Sequence, residues 1–211
     1  MNVNSDQLMK RVLFLLAMAL MMASCQNEHQ TPAVSFDDVI ASRRSIRSYE
    51  AGKTITEAEV RTLIATAQEA PSWANSQTSR YYVALSADKA DAVREVIGEW
   101  NKKNTEGAPV FIVSTFVRGK SGFRRDGEPA NEVGDGWGAY DNGLSDAHLV
   151  LKARAMGFDT LIMGGRDADA LRSIFSIPEE ETIMAVIALG YRAADPDRPA
   201  RKPLDEILRF F

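Results

Sequence analysis

The sequence predicts an α+β fold, with helices layered on a sheet, and three observations carry that prediction. Helical and strand-like runs mix along the chain without the strict βαβ rhythm of a doubly wound domain. Residues 110–117 are apolar almost throughout, as a strand covered on both faces would be. At 211 residues, 45% hydrophobic and 26% charged, the chain suits one globular domain with a sizeable core.

The leader stands apart from that domain. Lys10 and Arg11 precede an apolar run from Val12 to Met22, then small Ala23 and Ser24, then Cys25, the only cysteine. The run is short for a bilayer span, and the pattern is that of a cleaved signal peptide. Met22-Ala23-Ser24-Cys25 resembles a bacterial lipobox, with Met where Leu is commoner, which makes Cys25 the expected lipid attachment. The expected division is a signal peptide over 1–24, a polar tether over 25–34 and a folded domain over 35–211. It implies a lipid-anchored protein of the bacterial cell envelope, on the periplasmic side or the surface, touching membrane only through that anchor. A plain secretory signal, or a cytoplasmic leader around a free thiol, is the alternative, and Met9 also reads as a natural start. One cysteine allows no intramolecular disulfide.

In the folded part, Ser35 is the expected N-cap of a helix over Phe36 to Ser42. The stretch Arg43-Arg44-Ser45-Ile46-Arg47-Ser48-Tyr49 follows, with three guanidiniums and two serine hydroxyls within seven residues. Guanidiniums grip phosphate oxygens in a bidentate fork, although a stretch like this also serves as a solvated basic loop. The net charge of −4 argues against a nucleic-acid surface, so a local basic cluster points to a small anion. Thr56-Glu57-Ala58-Glu59 is a capping box, and Val60, Leu63, Ile64 and Ala67 form the apolar face of the helix behind it. Pro71 stops that helix. Residues 70–79 form a polar loop holding Trp73, and Arg80 to Leu85 read as a strand.

A single helix is expected from Ala87 to Lys103, with Val93, Val96, Ile97 and Trp100 on one face. After the strand at 110–117, residues 118–136 are rich in glycine and charge and read as a long surface loop, with Phe123, Arg124 and Arg125 available to an anionic substrate. Trp137, Tyr140, Leu144, Ala147 and Leu151 then recur at spacings of three and four, an amphipathic helix central in the fold or at a subunit contact. His148 beside that stripe has no second ligand spaced to make a metal site. Asp159 to Met163 is a short strand, and Gly164-Gly165 leads from it into a helix ending near Phe175. Thr182 to Leu189 is a strong strand. The tail from Tyr191 is charged and rich in proline. No Ser-His-Asp set, metal cluster or paired-carboxylate motif appears, so no side chain is named as catalytic acid or base.

Four segments, taken in order, resemble the nitroreductase family of flavoproteins. They are Arg43-Arg44-Ser45-Ile46-Arg47, Ala70 through Gln77, Gly157 through Gly165, and Ala200-Arg201-Lys202-Pro203-Leu204. The resemblance implies a nitroreductase-like fold, a mainly antiparallel central sheet flanked by helices, and an intertwined homodimer holding FMN at its interface. Arg43, Arg44, Ser45 and Arg47 would hold the flavin phosphate and ribityl chain, with Arg201 closing over them. Some relatives carry a second basic residue two positions before that arginine, where this chain has Pro199; Lys202 or Arg198 is the available substitute. Pro71, Ser72 and Asn75 would line the isoalloxazine pocket from the partner chain, with Trp73 near the flavin or in the dimer interface. Gly164 and Gly165 would approach the flavin near N5; a strand-to-helix turn needing positive φ is the structural alternative.

The implied activity is an FMN-dependent oxidoreductase that takes hydride from NAD(P)H and passes it to nitroaromatic or quinone-like acceptors in a ping-pong cycle. A family relative with a narrower reaction, such as reductive dehalogenation or dehydrogenation, and a non-catalytic flavin-binding envelope lipoprotein are the alternatives. An exported protein meets little NAD(P)H, so lipid anchoring and that donor pull against each other.

Overall fold

Four antiparallel strands carry the fold, in the order β1-β2-β4-β3: β1 is Ser79–Ala84, β2 Val110–Val117, β3 Asp159–Met163 and β4 Glu181–Gly190. The α+β class and the antiparallel sheet are as expected. The computed structural model describes residues 34–211; the signal peptide, Cys25 and the tether up to residue 33 lie outside the described residues.

β2 and β4 are central, and alternation along them feeds two cores. Phe111 and Val113 face one side with Val186 and Ala188, while Val110 and Ile112 face the other with Ile187 and Leu189. The first core is closed by Val93, Ile97 and Leu171, and the second by Leu63, Ala67, Leu149 and Ala153. Fully buried side chains such as Leu63, Leu149 and Leu171 each contribute about 1.5–3 kcal/mol of transfer free energy.

Helix α1 (Phe36–Ser42) leads into the basic stretch. Helix α2 (Glu57–Gln68) opens with the predicted capping box: the Thr56 N–H donates to Glu59 Oε2 at 2.7 Å, and the Glu59 N–H to Thr56 Oγ1 at 3.3 Å. The helix expected over 87–103 is two helices, α3 (Ala87–Glu95) and α4 (Glu99–Asn104). Gly98 sits at φ 77°, which only glycine adopts cheaply. The Asp167 N–H takes the Val96 carbonyl at 2.7 Å, so the helical ladder is interrupted from outside. Ile97 is buried as expected, but Trp100 turns outward and is 73% exposed.

Helix α5 (Gly136–Ala155) carries the stripe expected to be central or at a subunit contact. Its buried face carries Asp141, Asn142, Ser145 and Asp146 before Leu149, Val150 and Ala153, while Tyr140 of the predicted apolar stripe is 60% exposed. Leu144 and Leu151 are half-buried and Ala147 is exposed. Polar groups on β1, β2 and in the preceding loop satisfy the buried face, so of the two places expected for the stripe the core is taken by this polar face instead. Helix α6 (Ala168–Phe175) is capped by Asp167, and a single turn, α7 (Leu204–Ile207), lies in the tail. Leu204, Ile207, Phe210 and Phe211 are exposed there. Among the described residues, no helix is long and apolar enough to cross a membrane.

Candidate functional site

The basic stretch is fixed at both ends by its apolar residues. Ile46 is buried, and its N–H donates to the Thr160 carbonyl at 3.0 Å, which lays Ser45 beside Thr160 in a parallel bridge. With Ile46 inward, strand alternation turns Ser45 and Arg47 outward. Tyr49, also buried, pairs with Arg192, and the Ala193 N–H donates to the Ser48 carbonyl at 3.0 Å. The chain after β4 therefore runs back along the stretch, and the tail carries Arg201 to it. Arg43, Arg44, Ser45, Arg47 and Arg201 together line a cavity of about 140 Å³ with Pro199 and Asp197.

A buried carboxylate underpins this cavity. Asp159 is 1% exposed and accepts from Arg192 Nε at 2.7 Å and Nη2 at 2.6 Å, with Arg154 Nη1 at 3.3 Å. Arg192 Nη2 also donates to the Ser42 carbonyl at 3.1 Å, and Arg154 Nε to Ser42 Oγ at 3.0 Å. Both arginines thus clamp the last residue of α1, immediately before Arg43. Asp159 in turn holds the Arg192 guanidinium above its ordinary range, chiefly by hydrogen bonding. Sequence reasoning missed these positioning residues; Asp159 opening an otherwise apolar strand was the available signal.

The cavity's own guanidiniums are left for something else. Among the described residues, Arg43, Arg44, Arg47 and Arg201 form no ion pair. Arg44 Nη1 donates to the Ala41 carbonyl at 2.6 Å, Arg47 Nη1 to Ser45 O at 3.2 Å and Arg201 Nη1 to Pro199 O at 2.8 Å. The Nε of Arg44 is buried with no partner, a state that costs about 1–3 kcal/mol or more for a charged group. Uncompensated guanidiniums around a small cavity fit a multiply charged anion such as a phosphate monoester. Lys202 is engaged by Glu206 at 3.5 Å, and neither it nor Arg198 lines the cavity.

Gly164 and Gly165 lie at the far end of β3. Ser45 meets that strand at Thr160, so four residues, or about 13 Å, separate the two places along it. Neither glycine has positive φ, which removes the turn-geometry reason for them. The Gly165 carbonyl accepts from Asn101 Nδ2 at 2.9 Å, and a Cβ on Gly165 would stand 3.2 Å from that nitrogen. The Gly165 N–H donates to nothing among the described residues. Gly165 lines an open cavity of about 770 Å³ with Trp100, Asn101 and Arg166.

The 70–78 loop is held in a costly conformation. Ala74, Asn75 and Gln77 sit at φ 47°, 57° and 50°, a strain on the order of 1–3 kcal/mol each, least for asparagine. Several bonds impose it. The Trp73 N–H donates to Asp141 Oδ2 at 2.9 Å, Ser121 Oγ donates to the same oxygen at 2.5 Å, and Ser76 and Ser121 share a hydrogen bond of 2.6 Å. The Gln77 N–H donates to Ser72 Oγ at 3.0 Å, and the Trp73 ring packs on Trp137 at 4.8 Å. Pro71 and Asn75 are exposed. Ser72 lines a third cavity, with Tyr81 and Ser145. Within one chain, then, the arginine cavity, the Gly165 cavity and the Ser72 cavity are separate.

Asp146 is a further buried carboxylate, bonded by Ser114 Oγ at 2.8 Å, and burial pushes its carboxyl up to about 6 against the lowering effect of that bond. Among the described residues, no group of three or more His, Cys, Asp or Glu is placed to hold a metal.

Residues 40–191 match the Nitroreductase family. A "NADH dehydrogenase" of Thermus thermophilus is 26% identical over 204 residues, covering 86% of this chain and 98% of that protein. "Protein DrgA" of Synechocystis is 25% identical over 206 residues, covering 81% of this chain and 93% of that protein. Among solved structures, a protein of Exiguobacterium sibiricum crystallised in complex with FMN superposes with a TM-score of 0.76 at 22% identity, covering 85% of this chain and 98% of that one.

Proposed function

The chain belongs to the nitroreductase family, and from that premise we propose that it is an FMN-dependent oxidoreductase carrying hydride from NAD(P)H to nitroaromatic or quinone-like acceptors. The observation that carries this reading is the cavity of unpaired guanidiniums closed by Arg201, joined along β3 to the free N–H of Gly165. The first suits the phosphate of FMN; the second suits a flat polar ring that needs close backbone approach and a donor. The relatives named for NADH and NAD(P)H support the choice of donor.

FMN, when bound, would supply hydride transfer between donor and acceptor. The protein's part is to hold and screen. Arg43, Arg44, Arg47 and Arg201 would neutralise its phosphate and Ser45 would donate to the ribityl chain, while Asp159 with Arg192 keeps the cradle in register. Pro71, Ser72 and Asn75 do not line the arginine cavity of their own chain, and they would reach the flavin ring from the second subunit of a homodimer. Two exposed apolar surfaces support that dimer: the outward stripe with Tyr140, and the tail with Leu204, Ile207, Phe210 and Phe211. Cys25 carries a lipid anchor at the envelope after removal of residues 1–24; Cys25→Ala moves the protein from the membrane to the soluble fraction, and unchanged partition refutes the anchor.

Arg43→Ala or Arg44→Ala should give folded protein depleted in flavin. Variants that keep the full complement of FMN would show the phosphate to be held elsewhere.

A further inference from the structure

We propose that the loop over 118–136 forms a second anion subsite, which takes the carboxylate or phosphate of a small redox partner. Ser76, Thr78, Arg80, Lys120, Arg124 and Arg125 line a cavity of about 490 Å³ together with backbone at Gly119 and Gly127. It shares no residue with the arginine cavity closed by Arg201. No acidic side chain lines it. Among the described residues, none of its four cations is in an ion pair. Arg80 Nη1 donates only to the Gln77 and Ser79 carbonyls, both at 2.8 Å. Arg124 Nη2 makes one long bond, to the Ala130 carbonyl at 3.4 Å.

Two acids of the loop, Asp126 and Asp135, shape its backbone. Asp126 Oδ1 accepts from the Glu128 N–H at 3.0 Å, and Asp135 Oδ1 from the Gly119 N–H at 2.7 Å. The loop is folded on itself: the Arg124 N–H donates to Glu128 O at 2.8 Å, the Ala130 N–H to Gly122 O at 2.7 Å, and Trp137 Nε1 to Asn131 Oδ1 at 2.9 Å. Gly122, at φ +82°, allows this closure, because a Cβ there would stand 2.6 Å from the Gly134 carbonyl. The backbone that carries the cations is therefore built before binding, and the ordering left is that of their side chains. Four uncompensated cations in a concave site of an acidic chain fit one or two anionic groups, with the Ser76 and Thr78 hydroxyls completing the donor set. That the anion belongs to a redox partner rests on the reading above: Ser76 and Thr78 continue the loop of Pro71, Ser72 and Asn75, so a molecule stacked at the flavin has its substituents within reach of this wall.

The test compares the flavin-loaded full chain with a variant combining Lys120→Ala, Arg124→Ala and Arg125→Ala. Calorimetric titration with inorganic pyrophosphate at low salt should show binding to wild type and affinity at least about tenfold weaker in the variant, the loss expected for removed charge-assisted bonds. Flavin content should be equal in the two. In turnover, kcat/KM should fall about tenfold for a naphthoquinone bearing a carboxylate while that for neutral menadione holds. A rise in KM confined to NADPH would instead place the donor's phosphates in the cup, which still assigns it to an anionic redox partner. Unchanged pyrophosphate binding, or equal losses for charged and neutral quinones, overturns the subsite. A colourless wild type would defeat the flavin reading alone, since pyrophosphate titration in an Arg43→Ala, Arg44→Ala background still reports on the cup.

Discussion

Replacing Asp159 by alanine should be among the most damaging single changes at this site, and the structure sets its size. The carboxylate is 1% exposed and pairs with Arg192, itself 17% exposed, and with Arg154, 26% exposed. Removing one partner of a buried pair costs about 3–5 kcal/mol, because the remaining charge stays out of water. Here both arginines keep a second acceptor at Ser42, and Arg192 also reaches Asp195. The loss should therefore fall at the low end, about 3 kcal/mol. For a chain of this length that is a drop in melting temperature of about 6–12 °C. The two arginines should rank by geometry. Arg192→Ala, which removes bonds of 2.6 and 2.7 Å, should cost more than Arg154→Ala, which removes contacts of 3.3 and 3.5 Å. Thermal melts of the three variants, with FMN affinity measured alongside, make the assay. Flavin should loosen in Asp159→Ala even below its melting range, since Ser42 adjoins Arg43. A melting temperature within about 2 °C of wild type, or a larger cost for Arg154→Ala than for Arg192→Ala, would refute the clamp.

Three further outcomes follow from other parts of the molecule. The Asp146 carboxyl is raised to about 6 in the fold by burial, above its unfolded value near 3.9; the folded state therefore holds the proton longer. Its contribution to stability is full below the unfolded value and is lost as pH rises through about 6. Asp146→Asn should flatten the fall in stability over that interval in urea melts at successive pH values, and an unchanged slope would clear Asp146 of it. Thr56→Ala should cost about 1 kcal/mol by removing the hydroxyl that accepts from the Glu59 N–H, while the backbone N–H of residue 56 still donates to Glu59; it is read as a shifted denaturant midpoint with unaltered m-value. Gly122→Ala should destabilise by about 1–3 kcal/mol through its positive φ and the Gly134 carbonyl, and should raise hydrogen exchange in residues 119–136 while β2 and β4 stay protected.

Local chemistry made much of this legible in the sequence. Thr56 and Glu59 announced the start of α2, the apolar run over Val110–Val117 announced a strand buried on both faces, and Phe36–Ser42 and Asp159–Met163 fall where their patterns put them. Arg43, Arg44, Ser45, Arg47 and Arg201 do meet in one cavity. What stayed hidden depended on contacts between distant segments. Val93, Val96, Ile97 and Trp100 share a helical period, but Gly98 and the Asp167 N–H break the helix between them. The stripe of Trp137, Tyr140 and Leu144 left core and subunit contact open, and Asp141, Asn142, Ser145 and Asp146 are the residues buried on the core side. Those polar groups tolerate burial because Ser79, Ser114 and Ser121 supply their partners, and such partners sit too far off in sequence for periodicity to reveal. Asp159 escaped notice for the same reason: its shorter bonds come from Arg192, 33 residues on and beyond β4.

The cradle of unpaired guanidiniums is tested most directly by the visible spectrum of the purified full chain, recorded anaerobically before and after NADH or NADPH. A yellow protein whose flavin absorbance bleaches on reduction is the predicted result. A colourless protein that takes up no FMN on titration would contradict it.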